Sequence, residues 1–210
     1  MNTIILHGLG QTPEDWKTVR EQLEKRNSSD TVFCPDMTEW IENSQPCYDS
    51  LYAGLETYCG QIKGTFHLCG LSLGGILALQ YSIAHPERVK SLIVIGTQYK
   101  MPKVLLRLQN GIFRLLPDSG FQNMGFGKKQ FIQLSKSMMD LDLTRNLKQI
   151  TCSTLILCGE KDWINWPASK RLEKAISHAK IERIPHAGHE VNKENAGAAG
   201  DKIRKFLETV

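Results

Sequence analysis

Short apolar or β-branched runs alternate along this chain with longer segments of helical period. Six runs read as strands: Thr3–Leu6, Thr31–Cys34, Phe66–Leu71, Ser91–Ile95, Thr154–Cys158 and Lys180–Ile184. Short continuous apolar runs of this kind are what parallel strands buried on both faces look like. Between them, Pro13–Arg26 predicts a helix with Pro13 in its first turn, and Leu73–Ala84 an apolar helix stopped before His85-Pro86. Further helices are predicted at Tyr48–Ile62, Pro167–His178 and Ala199–Leu207. Strand and helix in alternation imply βαβ units, hence an α/β fold built on a minimal, mostly parallel sheet of about six strands flanked by helices.

One interval breaks the alternation. Thr97 to Ile150 is too long for a simple crossover and carries helical periods of its own, so it reads as a small helical cap inserted at 97–150 into a single domain of 1–210. Within it, Val104, Leu105, Leu108, Ile112, Leu115 and Leu116 fall on one helical face, and Lys100, Lys103, Arg107 and Arg114 on the other. The interval also concentrates charge. It holds nine basic residues against three acidic ones, a balance of +6, although the whole chain carries only +4. A net +4 does not argue for nucleic acid as a partner, and basic helix faces are most often simply solvated.

Composition changes the picture little. An apolar fraction of 41% and a charged fraction of 23% are ordinary globular usage. The longest apolar runs are strand-sized, far short of the roughly 20 residues a membrane span needs. No transmembrane segment is therefore expected, and peripheral membrane contact is open to the chain without being the expectation. The N-terminus shows no basic leader or cleavage pattern, and the six cysteines form no C-x-x-C pair, which together favour a reducing, cytoplasmic setting and no metal site.

The chemistry is carried by Gly70-Leu71-Ser72-Leu73-Gly74-Gly75, which follows a predicted strand and opens a predicted helix. A serine in that position sits on a strained turn, for which Gly70 and Gly74 leave room, and its hydroxyl is presented at a helix N-terminus. A serine hydroxyl is a weak nucleophile until a base takes its proton, and histidine does this best when a carboxylate orients it. Two strands further on supply such groups. Gly159-Glu160-Lys161-Asp162 follows one, and Pro185-His186-Ala187-Gly188-His189 the other. Glu160 competes with Asp162, and His186 with His189; Asp162 and His189 are preferred.

These motifs, together with His7-Gly8-Leu9-Gly10, are those of an α/β-hydrolase, which the chain resembles along nearly its whole length. The resemblance implies a serine hydrolase with Ser72 as nucleophile, His189 as general base and Asp162 as its orienting acid. It also implies an oxyanion hole made by the backbone N–H groups of Leu9 and Leu73, with His7 bracing the first loop. Three features depart from the family: no leading strand pair precedes Thr3, Glu190 stands beside the histidine, and the last helix is approached through a glycine- and alanine-rich stretch without a proline.

The expected function is two-step acyl transfer on a small-molecule carboxylic ester, with no metal and no organic cofactor. A small-molecule receptor or stress-response regulator of the same fold, with slow or no turnover, is the alternative. Carbon–carbon hydrolysis, lactone opening and a menaquinone-pathway elimination rank below it, the last because no arginine follows Gly75 closely. The oligomeric state is not legible.

Overall fold

Every strand of the sheet runs the same way. In this computed structural model, which describes residues 1–25, 31–41, 45–103, 106, 117 and 127–210, the strands are β1 (Asn2–Leu6), β2 (Thr31–Phe33), β3 (Phe66–Leu71), β4 (Val89–Ile95), β5 (Ser153–Gly159) and β6 (Ala179–Ile184). They pair in the order β2-β1-β3-β4-β5-β6, all parallel. The helices are α1 (Lys17–Glu24), α2 (Tyr48–Gly60), α3 (Leu73–Ala84), α4 (Lys128–Ser137), α5 (Trp166–Ala175), α6 (Val191–Glu194) and α7 (Ala196–Leu207).

The continuous apolar runs are explained by a core on each face of the sheet. Ile4, Leu6, Leu68, Leu92 and Val94 point to one side, where they pack with α2, α3 and Leu172 of α5. Their neighbours Ile5, Cys69, Leu71, Ile93 and Ile95 point to the other, against Val19 and Leu23 of α1 and Ile203 and Leu207 of α7. Alternation along each strand thus fills two layers, and both must be apolar. The strand order reverses between β1 and β3. Such a switch point opens a crevice beyond the strand C-termini, where loops from several strands converge.

The strand expectations stand within two residues, and α3 has the predicted bounds. Several helix boundaries move: α2 ends at Gly60 rather than Ile62, and α5 ends at Ala175 rather than His178, because Ile176 is extended at φ −103°, ψ 120°. The segment predicted from Pro13 begins as a 3-10 turn over Pro13–Trp16, and α1 starts only at Lys17 because Trp16 leaves the helical path at φ −104°, ψ 1°. The last helix starts at Ala196, not Ala199, since the Asn195 side chain accepts a hydrogen bond from Ala198 N–H and closes its first turn. Between 97 and 150 the described residues form α4, a 3-10 turn at Leu147–Gln149 and an antiparallel bridge from Lys100 to Asp142. The predicted apolar face Val104, Leu105, Leu108, Ile112, Leu115 and Leu116, with Arg107 and Arg114, lies outside the described residues. Among the described residues no helix is long and apolar enough to cross a membrane.

Candidate active site

Ser72 joins β3 to α3 with φ 53° and ψ −112°, a conformation non-glycine residues adopt only at a cost of about 1–3 kcal/mol. Its backbone is held from both sides. Ser72 N–H donates to Ile95 O at 2.9 Å, and Ser72 O accepts from Ile76 N–H at 3.0 Å. The flanking glycines are steric necessities: a Cβ on Gly70 would lie 2.2 Å from Gly74 O, and one on Gly74 would lie 2.2 Å from Leu6 O.

Beyond β5, Asp162 is buried, and its Oδ2 accepts a hydrogen bond from His189 Nδ1–H at 2.8 Å. A proton on Nδ1 leaves Nε2 as the ring nitrogen with a free lone pair. The two side chains meet beside the end of β4 because Gly96 stands there. With φ 53°, it would carry a Cβ only 3.0 Å from His189 Nδ1 and 3.2 Å from Asp162 Oδ2. Burial raises the Asp162 carboxyl, but hydrogen bonds from His189 and Asn165 outweigh it and hold the group below its ordinary range. Asp162 therefore carries a full charge at neutral pH.

Ser72, Asp162 and His189 line one cavity of about 520 Å³, together with Leu9 and Leu73. Its remaining walls are largely apolar, with Ile76 from α3, Met101, Leu106, and Phe131 and Met138 at α4. Among the described residues no cluster of His, Cys, Asp or Glu could hold a metal ion.

Residues 4–199 match the model of the alpha/beta hydrolase family. The chain belongs to that family. It is 27% identical to proline iminopeptidase PfmaB of Pestalotiopsis fici over 67% of this chain and 66% of that protein. It is 23% identical to human monoacylglycerol lipase ABHD6 over 99% of this chain and 75% of the lipase. The fold also superposes on a thermophilic esterase from Thermogutta terrifontis with a TM-score of 0.80 at 23% identity, covering 100% of this chain and 90% of the esterase.

In this hydrolase the competing residues lie apart from the cavity. His186 has φ 61° and an exposed side chain, and its backbone N–H donates to Glu160 Oε2 at 2.9 Å. That bond draws the Glu160 carboxyl below its ordinary range. Glu190 accepts from Gln11 Nε2 at 2.9 Å and so faces a neighbour in the first loop.

Two side chains that brace the site carry no motif. Gln11 is buried and accepts from Gly8 N–H at 3.2 Å while donating to Asn192 Oδ1 at 3.1 Å, so it ties the first loop to α6. Asn165 donates from Nδ2 to both Asp162 oxygens at 2.9 Å, and its Oδ1 accepts from Gln98 Nε2 at 2.8 Å. Its place before Trp166-Pro167 is readable as a helix N-cap, yet the side chain makes no cap and turns to Asp162 instead. Replacing it with leucine is expected to lower kcat about ten- to a hundredfold with a smaller change in KM, since the carboxylate loses its brace while the other cavity walls, largely apolar, remain. Steady-state kinetics that move KM alone would assign Asn165 to binding.

His7 is fully buried and neutral. Its Nδ1–H donates to Gly8 O at 3.0 Å, and its Nε2 accepts from Met37 N–H at 3.1 Å. Burial pushes its pKa below the ordinary 6.5, against smaller opposing effects of Gly8 and Asp36. The unfolded chain then binds a proton that the folded one refuses. Stability is full above pH 6.5 and falls on acidification, by at most about 1.4 kcal/mol per pH unit from this group. Urea unfolding should show that slope, and His7→Asn should start less stable but flatten it.

Proposed function

We propose that this hydrolase cleaves a carboxylic ester, or a related acyl bond, through Ser72, His189 and Asp162. His189 Nε2 takes the proton of the Ser72 hydroxyl as the oxygen attacks the carbonyl carbon. Asp162 holds the imidazole by its Nδ1–H and stabilises the cation that forms. The developing oxyanion is met by two backbone N–H groups. Leu73 opens α3, ahead of its first intrahelical bond, and Leu9 follows Gly8, whose own N–H is taken by Gln11. Collapse expels the alcohol with the proton from His189, and a water activated by the same nitrogen then releases the acid and restores Ser72.

The single observation that carries this reading is the 2.8 Å bond from His189 to a buried, charged Asp162 in the same cavity as the strained Ser72. The apolar walls supplied from 97–150 support that segment as a cap over an acyl chain, with a small-molecule ester as substrate. Cysteine usage supports a cytoplasmic setting. A fluorophosphonate probe should label the protein at Ser72. An unlabelled, folded protein overturns the assignment, and labelling without turnover of any ester favours ligand sensing.

A further inference from the structure

Among the described residues three large apolar side chains stand well clear of the surface: Met1, Trp163 and Ile164. Two of these are adjacent, in the loop between β5 and α5 that also carries Asp162. Trp163 is 78% exposed and Ile164 64% exposed, whereas Trp16 is wholly buried in the core. Holding so much apolar surface in water forgoes the burial that tryptophan ordinarily gains. The loop is not loosely held: Asp162 N–H donates to Gly159 O, Trp163 N–H to Lys161 O, and Trp166 N–H to Asp162 O, all at 3.1 Å. A tight turn thus presents the pair outward.

In the chain the pair sits between Asp162 and Asn165, both of which line the cavity. Ile164 lines it, and also lines an adjoining groove of about 390 Å³ that shares Gln98, Met101 and Pro102. The groove's other walls carry Lys100 and Arg171. Lys100 is paired with Asp142 at 2.9 Å, while Arg171 makes no ion pair among the described residues. An exposed indole next in sequence to Ile164, whose groove carries positive charge and adjoins an apolar cavity, has the chemistry of a membrane–water boundary. There the ring enters the headgroup zone, its N–H stays wet, and cations meet lipid phosphates.

We propose that the mouth of this cavity docks on a lipid surface bearing anionic headgroups, with Trp163 inserting and Arg171 meeting the headgroup charge. The substrate class this implies, an ester passed from the lipid layer into the cavity without crossing water, rests on the reading of Ser72 as the nucleophile. The docking does not.

Ser72→Ala protein, which turns nothing over, is mixed with vesicles of phosphatidylcholine alone or with phosphatidylglycerol, and binding is read by flotation and by tryptophan emission. We expect binding to both, tighter to the anionic vesicles, with emission shifting to the blue. Trp163→Ser should weaken binding about tenfold, Trp163→Phe much less, and Arg171→Gln should remove about fivefold of the anionic preference. In the otherwise native enzyme, Trp163→Ser should leave hydrolysis of a soluble short ester unchanged. No flotation, or binding indifferent to Trp163→Ser, overturns the docking. So does a blue shift that grows with protein concentration in the absence of lipid, which would mark a contact between copies. Flotation without hydrolysis of any ester leaves the docking standing and overturns the reading of Ser72, and soluble-ester hydrolysis without flotation does the reverse.

Discussion

Ser72→Ala is expected to lower kcat/KM for short p-nitrophenyl esters by about 10⁴-fold or more, to abolish fluorophosphonate labelling, and to leave the melting temperature nearly unchanged. The loss is large because the whole two-step route passes through one oxygen. Folding is spared because the bonds that hold the elbow, from Ser72 N–H to Ile95 and from Ile76 N–H to Ser72, are backbone bonds that alanine keeps. Residual activity within tenfold of the parent would remove Ser72 from the mechanism.

The second large effect separates two histidines three residues apart. His189→Ala should cost about as much as Ser72→Ala, while His186→Ala should change kcat/KM by less than about twofold. The difference follows from placement. His189 is bonded to the buried Asp162, whereas the His186 side chain is 86% exposed and meets Glu160 only at 4.0 Å, the closer bond being from its backbone N–H. Serine and histidine act as one unit, so the double variant Ser72→Ala/His189→Ala should be no worse than either single one. Equal losses at 186 and 189 would mean the loop, not the imidazole, is what matters.

Those two histidines also mark how far a linear reading goes. β3 and α3 were legible to the residue because Phe66–Leu71 is a continuous apolar run and a helix cannot pass His85-Pro86 unbroken. β4 begins two residues before its apolar run, at Val89, because the exposed Lys90 interrupts the hydrophobic signal while the backbone already pairs. The start of α7 was blurred by glycine and alanine, although Asn195 is a strong cap residue. Gly70, Ser72 and Gly74 are local and therefore readable. Gln11 and Asn165 each bond a residue three positions away, Gly8 and Asp162, but their ties to Asn192 and Gln98 join parts far apart in sequence, and no spacing rule brings those together. The exposure of Trp163 has the same character, since a tryptophan beside an aspartate reads the same whether it faces core or water.

One face of the sheet is closed by helices from opposite parts of the chain, with Trp16, Val19 and Leu23 sharing a buried cluster with Ala199, Ile203 and Leu207. During synthesis at about 5–20 residues per second, α1 emerges on the order of ten seconds before α7 exists to cover it. For that interval the nascent chain displays an apolar stripe with no native partner, an opening for holding chaperones or for misassociation. Any truncation or frameshift ahead of Ala196 makes the interval permanent. Quality control of this hydrolase is therefore expected to act on α1, far from the lesion that triggers it.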